Sequence, residues 1–118
     1  MFAYIDKTDK YGITHRNYFL TQGDTFTLVG NVPEEQQEVV RGVKFQIGAN
    51  ETVMYSQRYT KAEDLKYYCV VPTSETSKWE VTGDNEPYDY EIIVTLADGN
   101  EKTVMKANFT IWEQMKEA

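Results

Sequence analysis

Tyr88-Asp89-Tyr90-Glu91-Ile92-Ile93-Val94-Thr95-Leu96, running into Ala97-Asp98-Gly99-Asn100, is the stretch on which the fold turns. Successive side chains of a β-strand point to opposite faces. Tyr88, Tyr90, Ile92, Val94 and Leu96 therefore share one face, and Asp89, Glu91, Ile93 and Thr95 take the other. Unbroken register along a face this long predicts a central strand. Asp98-Gly99 is a pair that takes the positive φ angles of a tight hairpin. The return strand alternates Met105, Ala107, Phe109 and Ile111 against Lys106, Asn108 and Thr110.

The same two-residue period extends outward from this hairpin. After a Gln22-Gly23-Asp24 turn, Phe26 and Leu28 face one side and Thr25 and Thr27 the other; Val43, Phe45 and Ile47 alternate with Lys44 and Gln46 until Gly48 ends the run. Thr52 to Tyr59 and Lys66 to Val71 are rich in Tyr, Val and Thr and read as two further strands. Pro33, Pro72 and Pro87 fall between these segments, where a missing amide proton is harmless. Six or seven short strands, with no interior segment of helical period, predict an all-β fold, an antiparallel two-sheet sandwich. Residues 17–112 form the sandwich, residues 1–16 an arm or first strand of open conformation, and residues 113–118 a tail too short for a stable helix.

The 118 residues suit a single domain, and 41% apolar with 14% aromatic residues is enough to bury a core without staples. Twelve Lys and Arg against nineteen Asp and Glu give a net charge of −7, a field that repels phosphate backbones and anionic lipid. No nucleic acid and no membrane partner is expected. Met1 to Lys10 carries Asp6, Lys7, Asp9 and Lys10 where a secretory signal needs an apolar run, so no signal peptide is expected and synthesis in a cytoplasm is. Asn50-Glu51-Thr52 and Asn108-Phe109-Thr110 match the glycosylation triplet and carry no weight without such a signal.

Little of the chain has the form of catalytic machinery. Cys69, the single cysteine, lies among Tyr67, Tyr68, Val70 and Val71 and reads as a buried strand thiol. His15, the single histidine, reads as a surface residue, and no local motif joins it to Cys69. Asp84, Glu86, Asp89, Glu91, Glu34 and Glu35 are the carboxylates that acid–base work or calcium would draw on. Their expected fate is solvent exposure, and the spacing of an EF-hand is absent. The seven glycines stand singly, as turn formers do. No catalytic residue, no metal site and no cofactor is expected, and the chain is read as non-enzymatic.

Nine tyrosines and two tryptophans raise one more chemistry, the stacking of a sugar ring on an exposed aromatic. Tyr88 and Tyr90 lie on the apolar face of their strand and belong to the core. Tyr55, Tyr59 and Trp79 are the candidate ligand-contact aromatics, Trp79 because it stands between Lys78 and Glu80, and Tyr67 is open to exposure as well. Structural packing is the favoured role for them.

The order of these features resembles a family of small phage and prophage structural domains with an immunoglobulin-like sandwich, such as the N-terminal domain of baseplate upper proteins in siphophages of Gram-positive bacteria. The matching stretches are Leu20-Thr21-Gln22-Gly23-Asp24-Thr25-Phe26-Thr27-Leu28, Gly42-Val43-Lys44-Phe45-Gln46-Ile47, the Tyr88 to Gly99 stretch and Ala107-Asn108-Phe109-Thr110-Ile111. The likeness covers Tyr18 to Trp112. It implies an immunoglobulin-like sandwich of about seven strands in a tail- or baseplate-type structural protein, present in the bacterial host cytoplasm before assembly and then in the virion. Protein partners in a virion assembly, either other components or further copies of itself, are implied; Met1 to Arg16 is the expected contact if copies assemble. The sequence stops soon after the sandwich, so a free-standing member without a host-binding domain is expected. A carbohydrate-binding or cell-surface adhesion module is the alternative.

Overall fold

The computed structural model describes residues 6–8, 13–32, 34–83 and 86–115, without the side chains of residues 6–8 and 35. The expectations for residues 1–5 and 9–12 of the arm, Pro33, Asp84 and the end of the tail lie outside the described residues. Among those described there are nine strands: β1 Asp6–Thr8, β2 Thr14–Arg16, β3 Tyr18–Thr21, β4 Phe26–Asn31, β5 Val40–Ala49, β6 Thr52–Tyr59, β7 Lys66–Val71, β8 Tyr88–Leu96 and β9 Glu101–Trp112.

One sheet runs in the order β1-β2-β9-β8-β5-β6, with β3 also paired to β9; the other is β4 beside β7. The chain crosses between sheets after β3, after β4, after β6 and after β7. Strands distant in sequence therefore become neighbours, β5 with β8 in one layer and β4 with β7 in the other. This interleaving is the immunoglobulin-type arrangement, and the fold is an all-β sandwich of that class. β8 lies between β9 and β5, the central position its long apolar face requires.

Register brings the alternating residues together. Phe45 stands opposite Ile92, Ile47 opposite Tyr90 and Tyr88 opposite Phe109, so the inward faces of three strands make one apolar surface. Phe26, Tyr67, Cys69 and Val71 meet it from the second sheet, all buried. Phe109 is the hub: its ring lies 4.9 Å from Phe26, 5.8 Å from Trp79 and 6.0 Å from both Tyr18 and Tyr90.

Several sequence expectations are corrected. The sandwich is not wholly antiparallel: β2 and β3 run parallel to β9, Tyr18 to Thr21 pairing with Phe109 to Trp112. The two ends of the domain lie side by side, and nearly the whole chain serves as the crossover a parallel pair needs. β1 and β2, both within residues 1–16, pair with each other, and the Tyr90 hydroxyl donates to the Arg16 carbonyl. β5 does not stop at Gly48 but continues to Ala49 through a bulge between Ile47 and Gly48. A Cβ on Gly48 would sit 1.9 Å from the Thr52 carbonyl oxygen, so glycine here permits strand contact rather than ending a strand. A helical turn at Thr73–Thr76 and a 3-10 turn at Glu34–Gln36 interrupt the loops.

Candidate functional site

Two clefts that share Asp89 lie at one end of the larger sheet. The first, about 330 Å³, lies over the bulge of β5, between the start of β6 and the outward side of β8 and β9. Glu51, Asp89, Glu91 and Lys106 supply its charge. Asp89 and Glu91 reach it because they occupy the outward face of β8, and Lys106 because it pairs with Glu91 in register. The Gln46 amide donates to Glu91 Oε1 at 3.0 Å. The second cleft, about 420 Å³, is bounded by the Glu80 to Thr82 segment, Glu86 to Tyr88 and the β5–β6 turn at Asn50. Three carboxylates against one ammonium make the field of the first cleft negative, suited to a basic group on a partner surface. Thr52 is the hydroxyl in its wall, and neither histidine nor cysteine lines it.

The sequence candidates are dispersed. Asp89 and Glu91 share a cleft and Glu86 lines its neighbour, whereas Glu34 and Glu35 stand on the 3-10 turn after β4. Among the described residues no group of three or more His, Cys, Asp and Glu is placed to hold a metal ion. His15 is on β2 of the larger sheet and Cys69 on β7 of the smaller, in different layers. Cys69 faces the core, and burial pushes its thiol up to about 11, which leaves it protonated and unreactive at neutral pH.

The aromatic candidates are placed by packing. Trp79, a candidate for exposure because of its charged neighbours but favoured as a packing residue, is 3% exposed. The turn at Thr73–Thr76 swings it inward: the Trp79 amide donates to the Thr76 carbonyl, and the ring packs edge-on against Tyr55 at 6.0 Å. Its indole nitrogen donates to Glu75 Oε1 at 3.3 Å and its carbonyl accepts from Gln22 at 2.7 Å. Thr76, fully buried, holds the turn by donating to the Asp24 carbonyl at 2.8 Å. Tyr67 is buried because it shares the inward face of β7 with Cys69 and Val71, a parity legible in the sequence. Tyr55 and Tyr59 are half-buried. Burial, reinforced by the neighbouring Tyr55 hydroxyl, raises the Tyr59 phenol well above its ordinary range, and its hydroxyl donates to the Val70 carbonyl at 3.0 Å across the sheets. No groove of exposed rings is formed by these residues.

The feature that the sequence reading did not locate is the edge position of β6. It forms the last strand of the larger sheet, and six of its eight residues are exposed. Alternate amides and carbonyls of such a strand point away from its neighbour, toward any strand that arrives. The signal lay in its composition: unlike β5 and β8 it has no continuous apolar face, as expected of a strand that covers the core with only two tyrosines.

No family model matches the sequence, and no curated protein matches it. Among solved structures the chain is similar to the fibronectin(III)-like modules of CbhA from Clostridium thermocellum, at 12% identity and a TM-score of 0.49, over 98% of this chain and 100% of that one. It is also similar to extracellular domains 3–5 of Drosophila OTK, at 9% identity and a TM-score of 0.38, over 85% of this chain and 33% of that one.

Proposed function

We propose that this protein is a non-enzymatic structural component of a phage or prophage tail or baseplate, acting through protein–protein contacts. The observation that carries the contact role is the open edge of β6, a strand of eight residues offering unpaired backbone groups at the margin of the larger sheet. The acidic cleft at Glu51, Asp89 and Glu91 adds a second contact surface for a basic partner group. The virion setting rests on the resemblance of the Leu20, Gly42, Tyr88 and Ala107 stretches to phage structural domains. The adhesion alternative is weakened by the burial of Trp79, which leaves Tyr55 and Tyr59 as its rings.

The test is the composition of particles purified from the source strain after prophage induction. The chain is expected at a stoichiometry fixed relative to the tail proteins. Its absence from the particles, together with selective binding on a glycan array, would replace this reading with the adhesion module.

A further inference from the structure

We infer that β6 is the edge through which two copies of this chain pair, antiparallel, about a two-fold axis at Ser56, joining their seven-stranded sheets into one. The inference rests on the reading that the protein works through protein contacts, and it names the partner as a second copy.

β6 is the longest open edge among the described residues. β1, at the opposite end of its sheet, has three residues, and β4 and β7 have six each. The Tyr59 hydroxyl bound to the Val70 carbonyl already occupies part of the β7 margin. Edge strands that stay alone are commonly blunted by proline, lysine or an inward charge. Thr52–Tyr59 has none of these: its single charge is Arg58, near its end, and Val53 and Met54 are 49% and 41% exposed. The bulge lies at the hairpin end, where Ile47 pairs with Tyr55 and Gly48 with Val53 so that Met54 is the extra residue of β6, and it leaves Tyr55 to Tyr59 in regular register. The Arg58 carbonyl accepts a 3.2 Å bond from the Gln57 amide, a local bond that an incoming strand can replace.

Charge selects the occupant and the direction. The chain carries a net −7, so two copies meet best where carboxylates are few, and Thr52–Tyr59 contains none. Just outside it, Glu51 stands at one end and Lys61 at the other. Antiparallel pairing brings unlike ends together, whereas parallel pairing would bring like ends together. A two-fold axis through a continuous sheet also requires one residue to face its own copy. With Ser56 at the axis, Tyr55 stands opposite the partner's Gln57, and Glu51 and the partner's Lys61 come to the same end of the paired strands, twice over. Placing the axis at Tyr55 instead sets two phenols face to face.

Residues directly opposite in an antiparallel pair have Cβ atoms about 4.5–5.5 Å apart, close enough for like charges to repel strongly. The test therefore uses Ser56→Glu and Ser56→Lys in the full chain, with sedimentation equilibrium for mass and circular dichroism to confirm that each variant folds. The parent is expected to dimerise, each variant alone to dimerise at least about tenfold more weakly, and an equimolar mixture to recover a 1:1 heterodimer. A parent monomeric across the concentration series overturns the inference, as does a dimer indifferent to both variants or a mixture without recovery. Those outcomes leave the particle-composition test untouched, and absence of the chain from particles would remove the virion reading without altering a measured dimer.

Discussion

The two hairpins that build the larger sheet use one device to opposite ends. β8 and β9 both have neighbours on each side, and their shared inward face holds Tyr88, Tyr90, Ile92 and the hub Phe109. In the other hairpin β5 is just as buried, through Val43, Phe45 and Ile47, but its partner β6 meets the core only through Tyr55 and Tyr59. The first hairpin is a core with a turn attached; the second is a core strand carrying an edge. Cohesion and contact are thus assigned to different strands, and a fold can keep an open edge because its stability lies elsewhere.

The largest test of that division removes one ring from each hairpin. Phe109→Ala is expected to lower the unfolding free energy by about 3–5 kcal/mol, the cost of deleting a fully buried aromatic side chain. Tyr55→Ala, at a half-buried position, should cost roughly 1–2 kcal/mol for the smaller area returned to water. Urea denaturation reads both, and equal costs would show that β6 is as much a part of the core as β9.

Backbone contact within the second hairpin comes next. Gly48→Ala puts a methyl group where the Thr52 carbonyl oxygen lies 1.9 Å away, so the strands must part. A loss of about 3 kcal/mol is expected, in the range of severe overpacking. Gly42→Ala is the control: its Cβ would lie 3.7 Å from the Tyr59 carbonyl oxygen, an ordinary contact, and its cost should stay below about 1 kcal/mol. Similar losses at both sites would mean that the bulge between Ile47 and Gly48 is not as described.

The two hairpins also differ in how far the sequence disclosed them. β6 and β7 fall on the expected segments because they are rich in Tyr, Val and Thr, and β8 because its alternation is long, all three with borders marked by polar runs. Alternation also placed Phe26, Phe45, Tyr90 and Phe109 in the core. What it could not disclose was everything set by tertiary register: the parallel pairing of β2 and β3 with β9, the clash that requires Gly48, and the inward swing of Trp79. Charged neighbours pointed Trp79 outward, yet a side chain in a turn is aimed by the backbone and not by the polarity of the residues beside it. The acidic cleft was half legible. Asp89 and Glu91 follow from parity along one strand, but Glu51 joins them only through the pairing of β5 with β8 and β6.

The smallest effect separates the two turns by sign. Ala97-Asp98-Gly99 closes the first hairpin with a Leu96 to Gly99 turn, Gly99 at φ +88, and nothing lies within 4 Å of a Cβ placed there. Gly99→Ala therefore costs backbone strain alone, about 1 kcal/mol. Asn50 and Glu51 close the second hairpin with φ values of +53 and +63, a geometry that suits asparagine followed by glycine and strains glutamate. Glu51→Gly is expected to stabilise the monomer by about 0.5–1 kcal/mol, measured by thermal melting at low protein concentration. The same substitution removes the carboxylate that antiparallel pairing brings toward the partner's Lys61, so it should weaken self-association while strengthening the fold. A variant that gains stability and keeps its association would confine Glu51 to the turn; one that loses stability would mean the side chain offsets its own strain through the cleft it lines.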